Sequence, residues 1–228
     1  MPIITIASTK GGVGKSTLTA NIIVQMTLSG CKIACIDADP QNSLFKWNKI
    51  RELMMKQGEK LSPLFMVSTQ GEALMTIAQE RSAAGDYVFI DSAGVDDLNT
   101  RTALVKADYI ITVSPPTAVD LWEMETMIQL VRSLEQKVSR RIPLLLAFNR
   151  VSTKKNTKTL QDALTFLDEN RLPFAYVFES LIRDRISLQY AFREGKSIIE
   201  YQPVDRNARN EITLFCNELI NYLNPKTH

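Results

Sequence analysis

Short apolar runs alternate with amphipathic stretches along the 228 residues of the chain. Several runs are apolar throughout, which is typical of strands covered on both faces. The pattern predicts strands at Ile3–Ser8, Lys32–Asp37, Leu64–Ser68, Tyr87–Asp91, Tyr109–Val113, Leu144–Asn149 and Phe174–Glu179. It predicts helices at Lys15–Leu28, Ser43–Lys56, Glu72–Ser82, Leu121–Lys137, Thr157–Asn170 and Asp205–Leu223. This alternation predicts an α/β fold with a mainly parallel sheet flanked by helices.

The composition is that of an ordinary globular protein, with 45% hydrophobic and 23% charged residues. Because no Gly/Ser linker, repeat or low-complexity tract interrupts the pattern, we expect residues 1–228 to form a single domain. The chain opens into an apolar run at Pro2–Ile6, unlike a signal peptide, and no apolar run approaches the ~20 residues of a transmembrane helix. We therefore expect a cytoplasmic protein without a membrane partner.

The cysteines and the histidine argue against two kinds of site. Cys31, Cys35 and Cys216 form no Cys-x-x-Cys pair, and the one histidine is His228. A zinc site and general-base chemistry by histidine are therefore not expected.

A phosphate-binding loop follows the first predicted strand and opens the first predicted helix, which is the context that a P-loop requires. Its glycines let backbone N–H groups approach phosphate oxygens, and the new helix adds a partial positive charge. Lys15 is expected to reach the β- and γ-phosphates, and the Ser16 hydroxyl to bind Mg²⁺. The residues predicted to bind ATP here are Lys10, Gly11, Gly12, Val13, Gly14, Lys15, Ser16 and Thr17.

Three aspartates follow or end predicted strands, at the edge of the sheet where ligands bind. Asp91 is interpreted as a Walker B carboxylate that holds Mg²⁺ through a water, and Asp37 is a second candidate for the same role. Asp39 is expected to orient or activate the attacking water. The alternative for all three is helix capping or turn formation, which aspartate also favours.

The loop departs from the usual P-loop in two places. Thr9 stands where the usual pattern has glycine, and a second lysine, Lys10, precedes the glycine pair. This deviant Walker A form, with Asp37-Ala38-Asp39-Pro40-Gln41 after the second strand, resembles the ParA/MinD family of ATPases. The segments 39–44 and 91–94, with Trp47, are most similar to small plasmid-partition members that resemble ParF. The similarity extends from Ile3 to about Leu223.

The resemblance implies a deviant Walker A P-loop fold and a mechanism. Two protomers sandwich two ATP molecules, and Lys10 reaches across to the partner's nucleotide, so that Lys10, Lys15 and Asp39 are the expected catalytic residues. The ATP-bound homodimer binds double-stranded DNA without sequence preference and associates with the nucleoid. A centromere-binding partner similar to ParB stimulates hydrolysis, and the cycle drives plasmid partition. In relatives an asparagine at the position of Asn149 hydrogen-bonds adenine; the alternative here is a turn residue at a strand end.

Other features depart from relatives. Ser16 stands where threonine is frequent, and Ser92-Ala93-Gly94 replaces a second switch that contains proline in many relatives. The sequence begins at the P-loop strand, so we do not expect the operator-specific repression that larger partition ATPases achieve with a helix-turn-helix extension. The last residues form no basic amphipathic helix, which disfavours a MinD-like membrane anchor.

Lysine and arginine are in excess in residues 132–228, although the formal net charge of the chain is only +2. A basic face would bind DNA phosphates non-specifically. The alternative is that these residues only solvate helix faces. The DNA-binding candidates are Arg150, Lys154, Lys155, Arg183, Arg185, Arg193 and Lys196.

Two other functions stay open. A related ATPase could position another cargo, such as a conjugation complex, a protein organelle or a chemoreceptor cluster. A nucleotide-gated interaction module with negligible hydrolysis is a third possibility, against which the presence of Lys15 and Asp39 argues.

Overall fold

The computed structural model describes residues 1–94, 97–154, 158–169 and 175–224. Its strands are β1 (Ile3–Ala7), β2 (Ile33–Asp37), β3 (Phe65–Ser68), β4 (Tyr87–Asp91), β5 (Tyr109–Ser114), β6 (Leu144–Phe148) and β7 (Ala175–Val177). Its helices are α1 (Lys15–Leu28), α2 (Ser43–Lys56), α3 (Glu72–Ala83), α4 (Leu98–Lys106), α5 (Ala118–Val138), α6 (Lys158–Glu169), α7 (Ile186–Arg193) and α8 (Arg206–Leu223).

The described strands form one sheet in the order β3-β2-β4-β1-β5-β6-β7, and every recorded pair is parallel. The predicted parallel sheet is therefore confirmed. β1 lies at its centre, between β4 and β5. Since all strands run in one direction, the loops after β1, β2, β4 and β6 meet at the same edge.

Helices cover both faces of the sheet. Alternate residues of β1 point to opposite faces, so that Ile4 and Ile6 pack with residues of α1, α2, α7 and α8. On the other face, Ala7 packs with α4, α5 and α6, and Ile3 packs with α3. Burial on both faces explains the near-continuous apolar strands, because neither face is left for polar side chains.

Several element boundaries differ from the prediction. The helices α4 and α7 were not predicted, because α4 carries a weak apolar periodicity in sequence and α7 is only eight residues long. The helix α5 begins at Ala118, three residues earlier than expected, because Thr117 caps it by accepting a hydrogen bond from Asp120 N. Part of the predicted helix and strand around residues 157–174 lies outside the described residues.

Within the described ranges, no helix combines the length and apolar character needed to cross a bilayer.

Candidate nucleotide site

A cavity of about 560 Å³ opens at the carboxyl edge of the sheet, beside the end of the central strand β1. The loop Gly11–Thr17 supplies one wall, and the segment Asp39–Gln41 after β2 supplies another. The remaining lining residues are Ser43, Ala93, Gly94, Arg150 and Phe192. The fold thus brings most of the predicted phosphate loop to one cavity together with Asp39.

The N-terminus of α1 is suited to bind an anion. No described side chain caps the helix at Gly14, so the first N–H groups of α1 are available to phosphate oxygens. Gly14 has a φ of 95°, a left-handed conformation that favours glycine. An added Cβ there would overlap the side-chain amide of Asn149. The position therefore requires glycine for both its conformation and its neighbour.

Lys15 lies at the base of the loop, where its Nζ donates a hydrogen bond of 2.9 Å to Ser8 Oγ. Its side chain is buried. Burial lowers the pKa of Lys15, while the charges of Asp91 and Asp39 act in the opposite direction. A phosphate in the cavity would give this buried ammonium group a further anionic partner.

The Asp91 carboxylate is buried beside the loop, and Asp37 is its direct neighbour in the register of β2 and β4. Burial raises the pKa of Asp91 to about 7; the nearby Ser16 hydroxyl and Lys15 lower it, and Asp37 and Asp39 raise it. Asp91 Oδ1 accepts a 3.5 Å hydrogen bond from Thr19, and Oδ2 has no partner among the described residues.

These oxygens fit Mg²⁺. An unpartnered buried carboxylate oxygen beside a serine hydroxyl offers hard oxygen ligands, directly or through water. Within the described residues, no group of three or more His, Cys, Asp or Glu side chains could hold a metal alone.

Asp37 organises the segment that carries Asp39. Its Oδ1 accepts a hydrogen bond of 3.1 Å from Asp39 N, and its Oδ2 one of 2.8 Å from Phe45 N in α2. Burial raises the pKa of Asp37, and these backbone donors act against that rise. Asp39 Oδ1 accepts a hydrogen bond of 2.9 Å from Gln41 N. Asp39 itself is only half-buried and lines the cavity.

Lys10 does not line the nucleotide cavity with Lys15 in the structure of the single chain. Its Nζ lies 2.7 Å from Asp120 Oδ1, at the start of α5. The Asp120 side chain is 8% exposed and also accepts a hydrogen bond from Thr117 Oγ1. The adjacent Thr9 Oγ1 donates to Glu123 O, 2.9 Å away, so the unusual start of the loop is tied to α5.

Asn149 is buried and supports the phosphate loop. Its Nδ2 donates a hydrogen bond of 2.9 Å to Val13 O, and its backbone N donates to Ser114 O at the same distance. The predicted contact with adenine stays a prediction. A small cavity beside it, about 30 Å³, is lined by Asn149, Arg183 and Arg185 among others.

The basic DNA-binding candidates have different surroundings. Arg150 lines the nucleotide cavity, and three others are paired: Arg183 and Arg185 with Glu211, Lys196 with Glu59. The Lys196 side chain is only 11% exposed. Lys154 and Arg193 are exposed, and Lys155 lies outside the described residues. DNA contact by any of them stays a prediction.

Two residues of the site were missed in the sequence. Asp120 holds Lys10, and the spacing Thr117-x-x-Asp120 after an apolar strand, a capping-box pattern, could have revealed it. Phe192 lines the cavity from α7. No sequence pattern connects Phe192 to the loop, because it is distant in sequence and stands in a short helix.

Comparison with known proteins gives concordant results. Residues 4–198 match the CobQ/CobB/MinD/ParA nucleotide binding domain. The chain is 27% identical over 218 residues to maintenance of carboxysome distribution protein A of Halothiobacillus neapolitanus, covering 94% of each. It is 30% identical over 152 residues to Protein ParA of Rhizobium radiobacter, covering 67% of this chain and 66% of that protein.

Among solved structures, the pNOB8 ParA bound to nonspecific DNA is similar, with a TM-score of 0.68 and 16% identity over 99% of both chains. At that identity the likeness shows the fold alone.

Proposed function

The chain belongs to the CobQ/CobB/MinD/ParA family of nucleotide-binding ATPases, and we propose that it dimerises on ATP, binds DNA non-specifically and drives DNA partition. Hydrolysis is stimulated by a centromere-binding partner similar to ParB. In this proposal residues 1–228 act as one domain, in the cytoplasm and on the nucleoid.

The position of Lys10 carries the proposal. The cradle at Gly11–Thr17 is complete with Lys15, so a second lysine is not needed to bind phosphate within one chain. Lys10 is 45% exposed on its side chain and pairs with Asp120 rather than with groups of the cavity. A half-exposed cation beside the cavity mouth is suited to reach a nucleotide in a second protomer, which links ATP binding to dimerisation.

The residues of the cavity have different roles in the proposed hydrolysis. The N–H groups at the start of α1 and the Lys15 ammonium group bind the phosphates. Ser16, Asp91 and Asp37 would hold Mg²⁺, which would neutralise negative charge on the phosphates. Asp39 orients the attacking water, since its carboxylate is half-buried at the cavity wall and its loop is fixed by Asp37. Asn149 supports the loop and can contact adenine.

The exposed basic residues are the proposed DNA surface. Lys154 and Arg193 are exposed, and Arg150 lies at the cavity. Such contacts bind phosphates irrespective of sequence and weaken steeply with salt. Arg183, Arg185 and Lys196 would have to leave acidic partners before binding DNA.

DNA binding can be measured by fluorescence anisotropy with a labelled random-sequence duplex. We expect binding at low salt with ATP, and none with ADP or without nucleotide. Lys154→Ala should weaken DNA binding. Lys32→Ala should not, because Lys32 is exposed just before β2, at the edge of the sheet opposite the cavity. If the ATP-loaded protein has no affinity for duplex DNA at low salt, the proposed role in DNA partition is wrong.

A second candidate is an ATPase that positions another cargo. The relative from Halothiobacillus, named for carboxysome distribution, matches over 94% of the chain, more than the 67% matched by Protein ParA. Deletion of the protein distinguishes the two: partition predicts plasmid loss, and the alternative predicts clustered protein organelles with stable plasmids. The third possibility, a module without hydrolysis, requires that phosphate release stays at background with DNA and partner present.

A further inference from the structure

A buried contact joins the helix that follows the Asp39 segment to the end of α7. We call it the α2–α7 joint; it consists of Trp47, Arg51, Phe192, Gly195 and Glu200. It connects parts of the chain about 150 residues apart, and none of these residues belongs to the phosphate loop.

Arg51 is the centre of the joint. Its side chain is 1% exposed, which is rare for arginine unless every donor is satisfied. Two of its bonds go to Glu200, at 2.7 and 2.5 Å, and one of 3.3 Å goes to Gly195 O. The other two go to Ser62 O. The five recorded hydrogen bonds match the five N–H donors of a guanidinium group.

The two backbones are in direct contact at Gly195. This residue has a φ of 69°, and a Cβ added to it would lie 2.5 Å from Arg51 N. Trp47 Nε1 donates a hydrogen bond of 3.2 Å to Lys196 O. The end of α7 therefore cannot shift relative to α2 without breaking buried bonds, whose loss is unfavourable.

Stacked side chains continue from the joint to the cavity. The Arg51 guanidinium lies 5.5 Å from the Trp47 ring centroid, and the Trp47 and Phe192 rings are 6.1 Å apart with planes inclined by 15°. Trp47 is buried, and Phe192 is half-buried and lines the nucleotide cavity. At its other end, α2 is tied to Asp37 through Phe45 N. Both helices thus reach the cavity, one through Phe192 and one through the Asp39 segment.

We propose that Phe192 contacts the bound nucleotide, and that the α2–α7 joint makes α7 follow the occupancy of the cavity. Phe192 is then a residue that binds the nucleotide. Glu200 is a positioning residue, which acts through its bonds to Arg51 in α2. The inference rests only on the proposed binding of nucleotide in the cavity. It would stand even if the proposed DNA binding or the proposed centromere-binding partner were wrong.

Trp47 provides the probe, because the chain has two tryptophans and the other, Trp122, is 63% exposed. In the full-length Trp122→Phe protein, Trp47 is the only source of tryptophan emission. We expect ATP with Mg²⁺ to change that emission with the same midpoint as ATP binding measured by calorimetry. Emission that does not change at saturating ATP would overturn the proposal.

Two further substitutions are made in the Trp122→Phe background. Phe192→Leu should lower ATP affinity roughly 2- to 10-fold by removing an aromatic contact, and should abolish the Trp47 response. Glu200→Gln should keep ATP binding and lose the response. The control Glu52→Gln removes an ion pair with Lys49 on the outer side of α2 and should keep both.

The outcomes separate the possibilities. If Phe192→Leu changes neither ATP affinity nor the Trp47 response, Phe192 does not contact nucleotide and the proposal is wrong. If Glu200→Gln fails to fold, amide hydrogen exchange of Ile186–Arg193 in the Phe192→Leu protein decides. We expect exchange there to respond to ATP in the wild type and not in Phe192→Leu, while α1 responds in both; an equal response of α7 in both overturns the coupling.

Discussion

Lys10 Nζ and Asp120 Oδ1 form an ion pair of 2.7 Å within one chain. The lysine proposed to act on a partner's nucleotide is therefore held on its own protomer by a nearly buried carboxylate. In the proposed ATP dimer, Lys10 exchanges this contact for one with phosphate, so the ion pair would oppose dimer formation by the free energy that it contributes to the single chain.

Asp120→Asn is expected to favour the ATP dimer. The amide keeps the size of the side chain and removes the charge that holds Lys10. Because Lys10 is half-exposed, each pair contributes at most about 1 kcal/mol, and since both protomers release one pair, the dimer dissociation constant should fall by up to about 30-fold. Sedimentation with ATP measures the dimer dissociation constant. Lys10→Ala should weaken the dimer instead; if both variants weaken it equally, Asp120 does not restrain Lys10.

Lys15→Ala is expected to reduce ATP affinity about 10- to 100-fold or more, because it removes a charged donor from a buried phosphate site. Calorimetric titration with ATP and Mg²⁺ measures the loss. The matched control is Lys32→Ala, which alters an exposed lysine and should bind normally. Normal affinity in Lys15→Ala would remove this residue from the site.

Asp39→Ala should leave ATP affinity nearly unchanged and lower kcat by about 10²- to 10⁴-fold, the usual contribution of a positioned base. Phosphate release with saturating ATP, DNA and partner measures turnover. The ATP dimer should then persist, visible as a slow dissociation from DNA. Asp168→Ala on the exposed side of α6 is the control, and wild-type turnover in Asp39→Ala would assign water activation to another group.

Asn149→Ala separates two roles of one side chain. Its recorded hydrogen bond goes to Val13 O in the phosphate loop, so the substitution should lower affinity for ATP and also for inorganic tripolyphosphate. A contact with adenine alone would lower affinity for ATP and leave tripolyphosphate unchanged. Competition against a fluorescent ATP analogue measures both ligands in the same assay.

The Arg51–Glu200 pair should make stability fall at acidic pH. Burial acts to raise the pKa of Glu200, but the hydrogen bonds and charge of Arg51, with the Ser197 donors, outweigh it and hold the pKa below its ordinary 4.5. A lowered pKa in the folded state gives stability that is complete above the unfolded value and is lost as pH falls through the folded one.

Thermal unfolding of the wild type and Glu200→Gln tests this. At pH 7 the variant should lose about 3–5 kcal/mol, because Arg51 keeps a buried charge without its partner. The difference in Tm should shrink below pH 4.5. A difference that stays constant from pH 7 to pH 3 would show that the pair does not titrate with folding.

Local patterns allowed part of this structure to be predicted. The phosphate loop was predictable because its glycines, Lys15 and Ser16 are contiguous, and Asp37 and Asp91 because they end apolar strands. The contact of Lys10 with Asp120 spans 110 positions and that of Arg51 with Glu200 spans 149. Neither leaves a periodic signal, since an isolated arginine or aspartate in a helix resembles a solvated residue until tertiary packing buries it.

The hydrogen bond from Asn149 to the phosphate loop has a consequence for the protein during its synthesis. The loop leaves the ribosome first, but β4, β5 and the asparagine that support it follow by about 80 to 140 residues. A nascent chain that ends before Asn149 has the P-loop sequence and no finished site. We therefore expect ribosome-bound fragments that end before Asn149 to emerge without nucleotide, and ATP to become a ligand only after this residue has been added.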